Sequence, residues 1–430
     1  MSGKNKYQSV EQLIAKVYEE IPDSKIARTF ENCFNNTLNK TVEKQEDGSV
    51  FVITGDIPAM WLRDSVCQLR PYLVLANQDE QILELMEGLV KKQFSCIMED
   101  PYANAFNQCA NGHGFQDDVT AMKPALWERK YEIDSLCFPI QFSYLLWKNA
   151  GTVGHFTAEW KTAVEKVMEV FHIEQYHETK SNYRFERRNC LYTDTLSRSG
   201  KGALVKEGTG LVWSGFRPSD DACTYGYLIP SNMFLSVVMQ YVGEIAKEVY
   251  KDHVLESKAI AFSQEIQDAI ERYAVVPCAK KPYYAYEVDG FGQYLTMDDA
   301  NVPSLLAMPY FGYCKNEDRT YQNTKEVILS DANPYYYKGS QLEGIGSPHT
   351  PVNYVWHISL AMQGLVSDSK EEKYQILQKL SNTDGGAYMM HESVYVNDVT
   401  TYTRPWFSWA NAMFSELTLD YLGYHVKTKG

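Results

Sequence analysis

Apolar residues recur every three to four positions along most of this chain, a spacing typical of helices that bury one face. Near the start, Val10, Leu13, Ile14 and Val17 fall on the same side of a predicted helix. The spacing returns in segment after segment, so the chain is expected to fold by packing helices against one another. The predicted helices are 9–21, 24–37, 61–75, 79–98, 134–149, 157–174, 232–250, 255–273, 303–313, 318–330, 352–366, 370–381 and 405–423.

Long polar or Gly/Pro-rich connections separate several of the helix pairs, and structureless segments of such length usually carry function. Paired helices joined in this way are expected in a closed double ring whose functional loops converge at one end. Neither a shift in composition nor an internal repeat marks a boundary, so residues 1–430 are predicted to form a single all-α domain. The long connections are 99–133, 176–230, 275–301 and 331–351, and short strand-like stretches occur at 49–54 and 283–288.

Charge and targeting features exclude several classes of protein. The net charge of −14 and the lack of a basic block argue against a nucleic-acid partner. No stretch approaches 18 uninterrupted apolar residues, so no membrane span is expected. The short polar start from Met1 to Tyr7 does not resemble a signal peptide. The nine scattered cysteines, without a CxxC pair, are interpreted as reduced thiols of a cytoplasmic protein.

Several reaction schemes have no motif in this chain. It contains neither HExxH nor GxSxG, and no Gly-rich phosphate loop opens a helix after a strand. The Asp-rich stretches lack the spacing of a helix–loop–helix calcium site. The connections instead combine carboxylates with aromatic residues, and this combination favours glycoside chemistry over acyl or phosphoryl transfer.

The first such cluster lies at 54–65, where Asp56, Trp61, Arg63 and Asp64 crowd the start of a predicted helix. Two carboxylates can hold neighbouring sugar hydroxyls, and a tryptophan ring can stack on the sugar. The same residues also suit a helix cap with a surface ion pair. The residue types alone leave both interpretations open.

The second cluster, at 113–134, includes Glu128 and Lys130 and precedes an apolar helix. A segment this rich in charge is more often a solvated loop. We nevertheless keep both residues as candidates for binding sugar hydroxyls.

The third cluster runs from Trp213 to Asp221 and contains Arg217 and Asp220. Two adjacent carboxylates beside aromatic rings can have one pKa raised by burial and by like charge, as a general acid requires. The alternative is a helix cap formed by Ser219 or Asp220.

The fourth cluster pairs His391 and Glu392 at 389–393 with Trp409 shortly after it. The alternative for Glu392 is an ordinary surface position. His349, in another connection, is a further candidate, although a lone histidine is more often structural.

Long stretches of these clusters resemble glycoside hydrolase family 125, whose members are exo-acting α-1,6-mannosidases of bacteria and fungi. The matches follow one another from about residue 30 to the C-terminus, and so many in order are highly specific. They are 54–65 (TGDIPAMWLRDS), 101–107 (PYANAFN), 127–138 (WERKYEIDSLCF), 213–235 (WSGFRPSDDACTYGYLIPSNMFL), 298–306 (DDANVPSLL), 389–393 (MMHES) and 406–411 (WFSWAN).

The resemblance implies an (α/α)6 barrel and an inverting hydrolysis of terminal α-1,6-linked mannose without a metal or cofactor. It assigns the proton donor to Asp220, with Asp221 as the neighbouring alternative, and the base for the attacking water to Glu392. Inversion requires the two carboxyl groups to be roughly 6.5–9.5 Å apart. The expected partner is a mannose-containing oligosaccharide bound by a monomer. The candidates for binding it are Asp56, Trp61, Arg63, Asp64, Glu128, Lys130, Arg217, His349, His391 and Trp409.

Three other functions are compatible with a helical ring. An inverting phosphorylase would need a basic phosphate pocket in place of Glu392, and the loop that follows has no Lys or Arg before Arg404. A non-catalytic sugar-binding ring would have lost one of the two carboxylates. A lyase would use Tyr or His as the base, but no position singles one out.

Overall fold

The computed structural model describes residues 7–277 and 281–428, and α-helices joined by long connections make up most of this part. In chain order they are α1 (Gln8–Glu20), α2 (Ser24–Asn36), α3 (Leu62–Leu69), α4 (Glu80–Glu99), α5 (Ile133–Ala150), α6 (Ala158–Glu174), α7 (His177–Lys180), α8 (Ser197–Gly200), α9 (Ile229–Ile245), α10 (His253–Tyr273), α11 (Arg319–Ile328), α12 (His357–Leu365), α13 (Lys370–Asn382) and α14 (Ser408–Tyr421). A 3-10 turn (Arg70–Leu75) follows α3, and a π turn (Ala246–Tyr250) follows α9.

Short antiparallel strands occupy the connections and form six small sheets in the described part. Strand β2 covers half of the predicted stretch 49–54, and β8 and β9 lie at the two ends of the predicted stretch 283–288. The sheets are β1 (Val42–Lys44) with β2 (Val50–Val52); β3 (Met60–Trp61), β4 (Ala105–Phe106) and β5 (Leu126–Glu128); β6 (Tyr227–Leu228), β9 (Glu287–Val288) and β10 (Tyr294–Leu295); β7 (Val275–Val276) with β8 (Tyr283–Tyr284); β11 (Tyr336–Lys338) with β12 (Glu343–Ile345); and β13 (Tyr354–Trp356), β14 (Ser393–Tyr395) and β15 (Tyr402–Thr403).

The helices form two concentric rings, which is the predicted (α/α)6 barrel. Five inner helices are buried along nearly their whole length, and they are α3, α5, α9, α12 and α14. Helix α3 packs against α5 and α14, α5 packs against α9, and α12 packs against α14, so the last helix closes the ring onto the first inner one. The outer positions belong to α2, α4, α6, α10, α11 and α13, which bury one face each.

The predicted helix at 303–313 was wrong, because this segment consists of successive turns. It still occupies the sixth inner position: Phe311 packs against Phe234 of α9, and Tyr310 donates a hydrogen bond to Glu416 of α14. The carboxylate of Asp298 accepts the backbone N–H groups of two leucines at the start of the segment. Two prolines remove helical N–H donors from the segment, which explains why apolar spacing alone misled the prediction.

Six long connections lead from an outer helix to the start of an inner segment, and they meet at one end of the ring. The four predicted connections are confirmed, and each begins within two residues of its predicted start. Residues 278–280, inside one of them, lie outside the described residues. The inner helices all begin at this end, so the positive ends of their dipoles surround it. In chain order the connections are 37–61, 100–132, 175–228, 274–302, 329–356 and 383–407.

The remaining twelve predicted helices are confirmed, and the differences lie at their ends. Helices α12 and α14 begin later than predicted because Tyr354–Trp356 is a strand and residues 405–407 are not helical. No helix in the described part is both long and apolar enough to cross a lipid bilayer. Residues before Tyr7 are outside the described part, and the single-domain assignment stays a prediction.

Candidate active site

A cavity of about 1250 Å³ opens at the end of the ring where the connections meet. Ligand pockets generally have volumes of roughly 300–1,000 Å³, so this one has room for a ligand larger than a single sugar unit. All six connections contribute to its wall, together with the first residues of two inner helices. The lining residues fall in the ranges 54–64, 114–130, 187–221, 301, 348–356 and 392–409.

Nine of the twelve residues predicted from the sequence line this cavity. Their positions on five different connections and at the starts of two inner helices explain why they are far apart in the chain and close together in the fold. They are Trp61, Arg63, Asp64, Glu128, Lys130, Asp220, His349, Glu392 and Trp409.

The other three predicted residues lie outside the cavity lining. Asp56 is exposed and pairs with Arg404, whose Nε lies 3.1 Å from each carboxylate oxygen. Arg217 is buried behind the wall, where its Nε donates a 2.6 Å hydrogen bond to Glu287. His391 is fully buried and stacks on a tyrosine ring at 3.6 Å. These three residues can therefore affect binding only indirectly, by holding other residues of the site in place.

Asp220 lies at the tip of a tight turn with a left-handed backbone, at φ 67. Aspartate tolerates this conformation better than most residues. Its carboxylate accepts hydrogen bonds from Arg63 Nη2 at 3.1 Å and from Asn104 Nδ2 at 3.3 Å, and its carbonyl accepts one from Lys130 Nζ at 2.8 Å. Burial opposes ionisation, but the guanidinium of Arg63, a hydrogen bond from Glu132 and the ammonium of Lys130 outweigh it and lower the pKa of Asp220.

Arg63 is the centre of a buried group of acids. Its Nη1 donates to Glu132 at 2.6 Å and to Asp134 at 3.0 Å, and its Nε lies 3.5 Å from Asp64. With Asp220, four carboxyl groups share one guanidinium. Burial raises the pKa of Asp64 to about 6 and holds that of Glu132 well above its ordinary value, against the lowering effect of Arg63. Burial therefore favours protonation within this group.

Glu392 lies on the opposite side of the cavity and immediately precedes β14. Its position follows from ring order, because Asp220 belongs to the third connection and Glu392 to the sixth. Asn411 supports the loop before it by accepting the backbone N–H of Met390 at 2.8 Å. Arg404 Nη1 donates a 3.4 Å hydrogen bond to Glu392 Oε1, so the sixth connection does bring a basic group beside this carboxylate.

His349 lies close enough to Asp220 and Glu392 to interact with the charges of both. Its Nδ1 is 3.1 Å from Asp221 Oδ1. Although burial lowers it, the hydrogen bond to Asp221 and the negative charges of Glu392 and Asp220 raise the pKa of His349 to about 9. A cationic imidazole therefore faces the space between Asp220 and Glu392.

Several buried polar atoms of the lining residues have no hydrogen-bond partner among the residues that the structure describes. Buried polar groups are nearly always paired, so such atoms point to a ligand or to ordered water. Two indole N–H donors and two carboxylate acceptors of this kind suit a polyhydroxylated molecule with an apolar face. They are Trp61 Nε1, Trp409 Nε1, Asp64 Oδ1 and Asp221 Oδ2.

Sequence reasoning did not select four residues that hold the site together. Glu132 and Asp134 lie in the charged second cluster, where nothing local distinguished them from solvated residues. Asn104 lies in the stretch 101–107 that resembles the family. It bridges Asp220 to Glu128, to which its Nδ2 donates at 2.8 Å. Arg187 lies in a stretch without any recognisable motif, and its Nη2 donates to Glu128 at 2.8 Å.

In the described ranges 7–277 and 281–428, no three His, Cys, Asp or Glu side chains are grouped so that they could hold a metal ion. The functional candidates are therefore carboxylates, their cationic partners and indole rings.

Comparison with known proteins gives a consistent result. The model of the family described as metal-independent alpha-mannosidase (GH125) matches residues 23–419. The meiotically up-regulated gene 157 protein of Schizosaccharomyces pombe is 40% identical over 436 residues, which cover 96% of this chain and 86% of the yeast protein.

Among solved structures, a metal-independent α-mannosidase of Streptococcus pneumoniae, in a non-productive complex with α-1,6-mannobiose, has a TM-score of 0.94 and 47% identity. The match covers 97% of this chain and 99% of the pneumococcal one. A bacterial glucoamylase complexed with acarbose has a TM-score of 0.61 and 12% identity over 96% of this chain and 58% of its own. At that identity the likeness shows the shared fold alone.

Proposed function

Because this chain belongs to the metal-independent α-mannosidases of glycoside hydrolase family 125, we propose that it removes terminal α-1,6-linked mannose with inversion of configuration. Asp220 protonates the glycosidic oxygen, and Glu392 deprotonates the water that attacks the opposite face of the sugar. The observation that carries this proposal is that Asp220 and Glu392 line one cavity from connections on opposite sides of the ring. An inverting pair needs such an arrangement, since a water must fit between one carboxylate and the sugar.

The proposal includes exo-action, which the burial of part of the cavity lining supports. The cavity lining includes nearly inaccessible residues such as Trp61, Asp64 and Trp409. Their unpaired indole and carboxylate atoms would bind the hydroxyls of a terminal sugar. A chain could enter such a pocket only by its end.

The leaving group would lie toward the third connection. There Arg187 joins Asp118, Glu128 and Asp194 in one ion-pair network. Lys130 also contacts Asp194 and binds the carbonyl of Asp220. This network would keep the proton donor in place when the second sugar binds. The pneumococcal relative was solved with α-1,6-mannobiose, and we extend that linkage to this chain, with oligomannose or N-glycan fragments as substrates.

Phosphorolysis is the alternative that the site makes worth testing, because Arg404 lies beside Glu392. However, Arg404 is also bound to Asp56, and Glu392 itself adds a negative charge. An inorganic phosphate would therefore meet two carboxylates at the position where it must attack. This arrangement favours water as the nucleophile.

The test is to incubate the pure protein with α-1,6-mannobiose in phosphate-free buffer and to follow the released anomer by NMR. We expect β-mannose as the first product, at a rate unchanged by excess chelator. First release of α-mannose would mean retention and would rule out Glu392 as a base for water. A reaction that starts only after phosphate is added would replace hydrolysis by phosphorolysis.

The proposal also includes a monomeric catalytic domain that trims short oligosaccharides in the cytoplasm. The free thiols of the described part, several of them buried like Cys33 and Cys137, fit a reducing compartment. Light scattering that gives the mass of two or more chains would contradict the monomer. Recovery mainly from the medium of the native host would contradict the location.

A further inference from the structure

The carboxyl groups of Glu132 and Asp220 are bound to the two terminal nitrogens of the same guanidinium. Arg63 Nη1 donates to Glu132 Oε2 at 2.6 Å, and Nη2 donates to Asp220 Oδ1 at 3.1 Å. A hydrogen bond between the two carboxyl groups raises the pKa of Glu132 and lowers that of Asp220, in addition to the larger effects of burial and of Arg63. Two ionised carboxylates at such a distance would repel each other strongly, so the pair shares a proton.

The hydrogen bonds of Glu132 indicate where that proton lies. Its Oε2 accepts from Arg63 and from Ser135 Oγ at 2.7 Å. Its Oε1 is fully buried and has no donor among the residues that the structure describes. A buried carboxylate oxygen without a donor is costly, whereas protonation removes the charge of Glu132 and gives its carboxyl group a proton to donate to Asp220.

Burial favours the same position for the proton. The side chain of Glu132 is inaccessible to solvent, while that of Asp220 is 23% exposed and faces the cavity. Lys130 and His349 add positive charge on the Asp220 side. In the free enzyme the neutral acid is therefore Glu132, and the residue proposed as proton donor is ionised.

We propose that Glu132 holds the catalytic proton in the free enzyme and passes it to Asp220 when the substrate binds. This inference rests on the proposed role of Asp220 as general acid. Glu132 does not touch the reacting atoms and is a positioning residue that acts through Asp220. The arriving leaving-group sugar displaces water from Asp220, which makes its ionised form less favourable and draws the proton across.

The step balances as follows. The O–H bond of Glu132 breaks while an O–H bond forms on Asp220, and the Asp220 proton then moves to the glycosidic oxygen. The electron pair of the broken C–O bond stays on that oxygen, the oxygen of the attacking water forms the new bond to the anomeric carbon, and one proton of that water goes to Glu392. After product release, a proton passes from Glu392 to solvent and the Glu132–Asp220 pair takes one up.

Other charged groups face the pair and affect its titration. Arg63 touches both carboxyl groups, Asp134 and Asp64 share that guanidinium, and Lys130 and His349 lie on the cavity side. Replacing any of these residues changes the charge around Glu132 and Asp220. The experiment therefore needs a control variant that changes this charge but leaves both Glu132 and Asp220 in place.

The test compares Glu132→Gln with the unsubstituted enzyme on two substrates. Glutamine can accept the hydrogen bonds from Arg63 and Ser135 but cannot release a proton. We expect kcat/KM on α-1,6-mannobiose to fall by about 100-fold. On 2,4-dinitrophenyl α-mannoside, whose leaving group needs no proton, we expect a change of less than about 3-fold. The basic limb of the pH profile should also move to lower pH, since only Asp220 would then hold the proton.

Two further variants separate the possible failures. Asp134→Asn removes a carboxyl from the same guanidinium, and it should affect both substrates to the same extent. Asp220→Asn should reproduce the substrate contrast of Glu132→Gln. If Glu132→Gln loses activity equally on both substrates while Asp220→Asn keeps the contrast, the proton transfer from Glu132 is overturned. If Asp220→Asn loses activity equally on both substrates, Asp220 is not the general acid and the proposed mechanism fails with it.

A second readout does not depend on the folding of Glu132→Gln. The infrared spectrum of the free enzyme should contain the C=O band of a protonated carboxyl group that disappears in Asp220→Asn. There the amide of the new residue can donate to Glu132 Oε1, and Glu132 no longer needs its proton. Persistence of that band in Asp220→Asn would contradict the shared proton.

Discussion

Glu392→Gln is expected to abolish hydrolysis of α-1,6-mannobiose while the protein remains folded. The change removes the group proposed to take the proton from the attacking water, and general-base catalysis of this kind contributes about 100- to 10,000-fold. Glutamine has the same shape and can still accept the 3.4 Å hydrogen bond from Arg404. The loss should therefore appear in kcat, with mannobiose still bound.

Glu343→Gln is the matched control. Glu343 lies in β12, pairs with Lys338 at 2.9 Å and does not line the cavity, so its replacement should leave activity unchanged. Steady-state kinetics, calorimetric titration with mannobiose and thermal unfolding would be measured on both variants. An active Glu392→Gln enzyme would exclude Glu392 as the base.

Arg63→Met is expected to lower the free energy of unfolding by about 3–5 kcal/mol, as removal of one partner from a buried ion pair generally does. Arg63 is 2% exposed and is the shared partner of Glu132, Asp134 and Asp220. Without it, these acids remain buried beside one another. Activity on mannobiose should also be lost, because the carboxylate of Asp220 is no longer held in place.

The pH dependence of this deficit identifies its cause. Without the guanidinium, burial raises the folded-state pKa of these carboxyl groups above the unfolded value. At low pH these carboxyl groups are protonated in both the folded and the unfolded protein, and their ionisation then costs no stability. The free energy of unfolding falls as the pH rises through the folded-state pKa. The deficit should therefore be smaller at about pH 5 than at about pH 8. A deficit independent of pH would point to lost packing instead.

Arg70→Met is the control for that experiment. Arg70 is as buried as Arg63, but it pairs with a single acid, Glu416, at 2.9 Å, and does not line the cavity. It lies in the turn after α3, at the end of the helix that faces away from the connections. Denaturant unfolding should show a loss of stability in both variants, and only Arg63→Met should lose the ability to bind mannobiose.

Helices could be predicted well from this sequence because each one repeats its apolar spacing over several turns. The segment 303–313 shows the limit of that signal. Its apolar residues fill an inner position of the ring, as a helix would, but Asp298 and two prolines satisfy or remove its backbone donors differently. A buried helix and a buried segment of turns show the same apolar spacing, so the spacing could not distinguish between them.

The site was less predictable because its residues act through contacts between distant connections. Arg63 and Asp220 are 157 positions apart, and nothing near either one announces their hydrogen bond. Asp56 and His391 stand beside lining residues in the sequence but face away from the cavity. The hydrogen bonds of Arg63 with Glu132 and Asp220 join an inner helix to two separate connections, so only the tertiary structure reveals them.

The convergence of the six connections has an evolutionary consequence. The packing of the two rings supplies the stability of the fold, while the lining of the cavity comes almost wholly from segments outside that packing. Mutations in the connections can therefore alter which sugar or leaving group is accepted without weakening the contacts between helices. The ring shared with a glucoamylase at 12% identity shows that very different sequences can build the same scaffold.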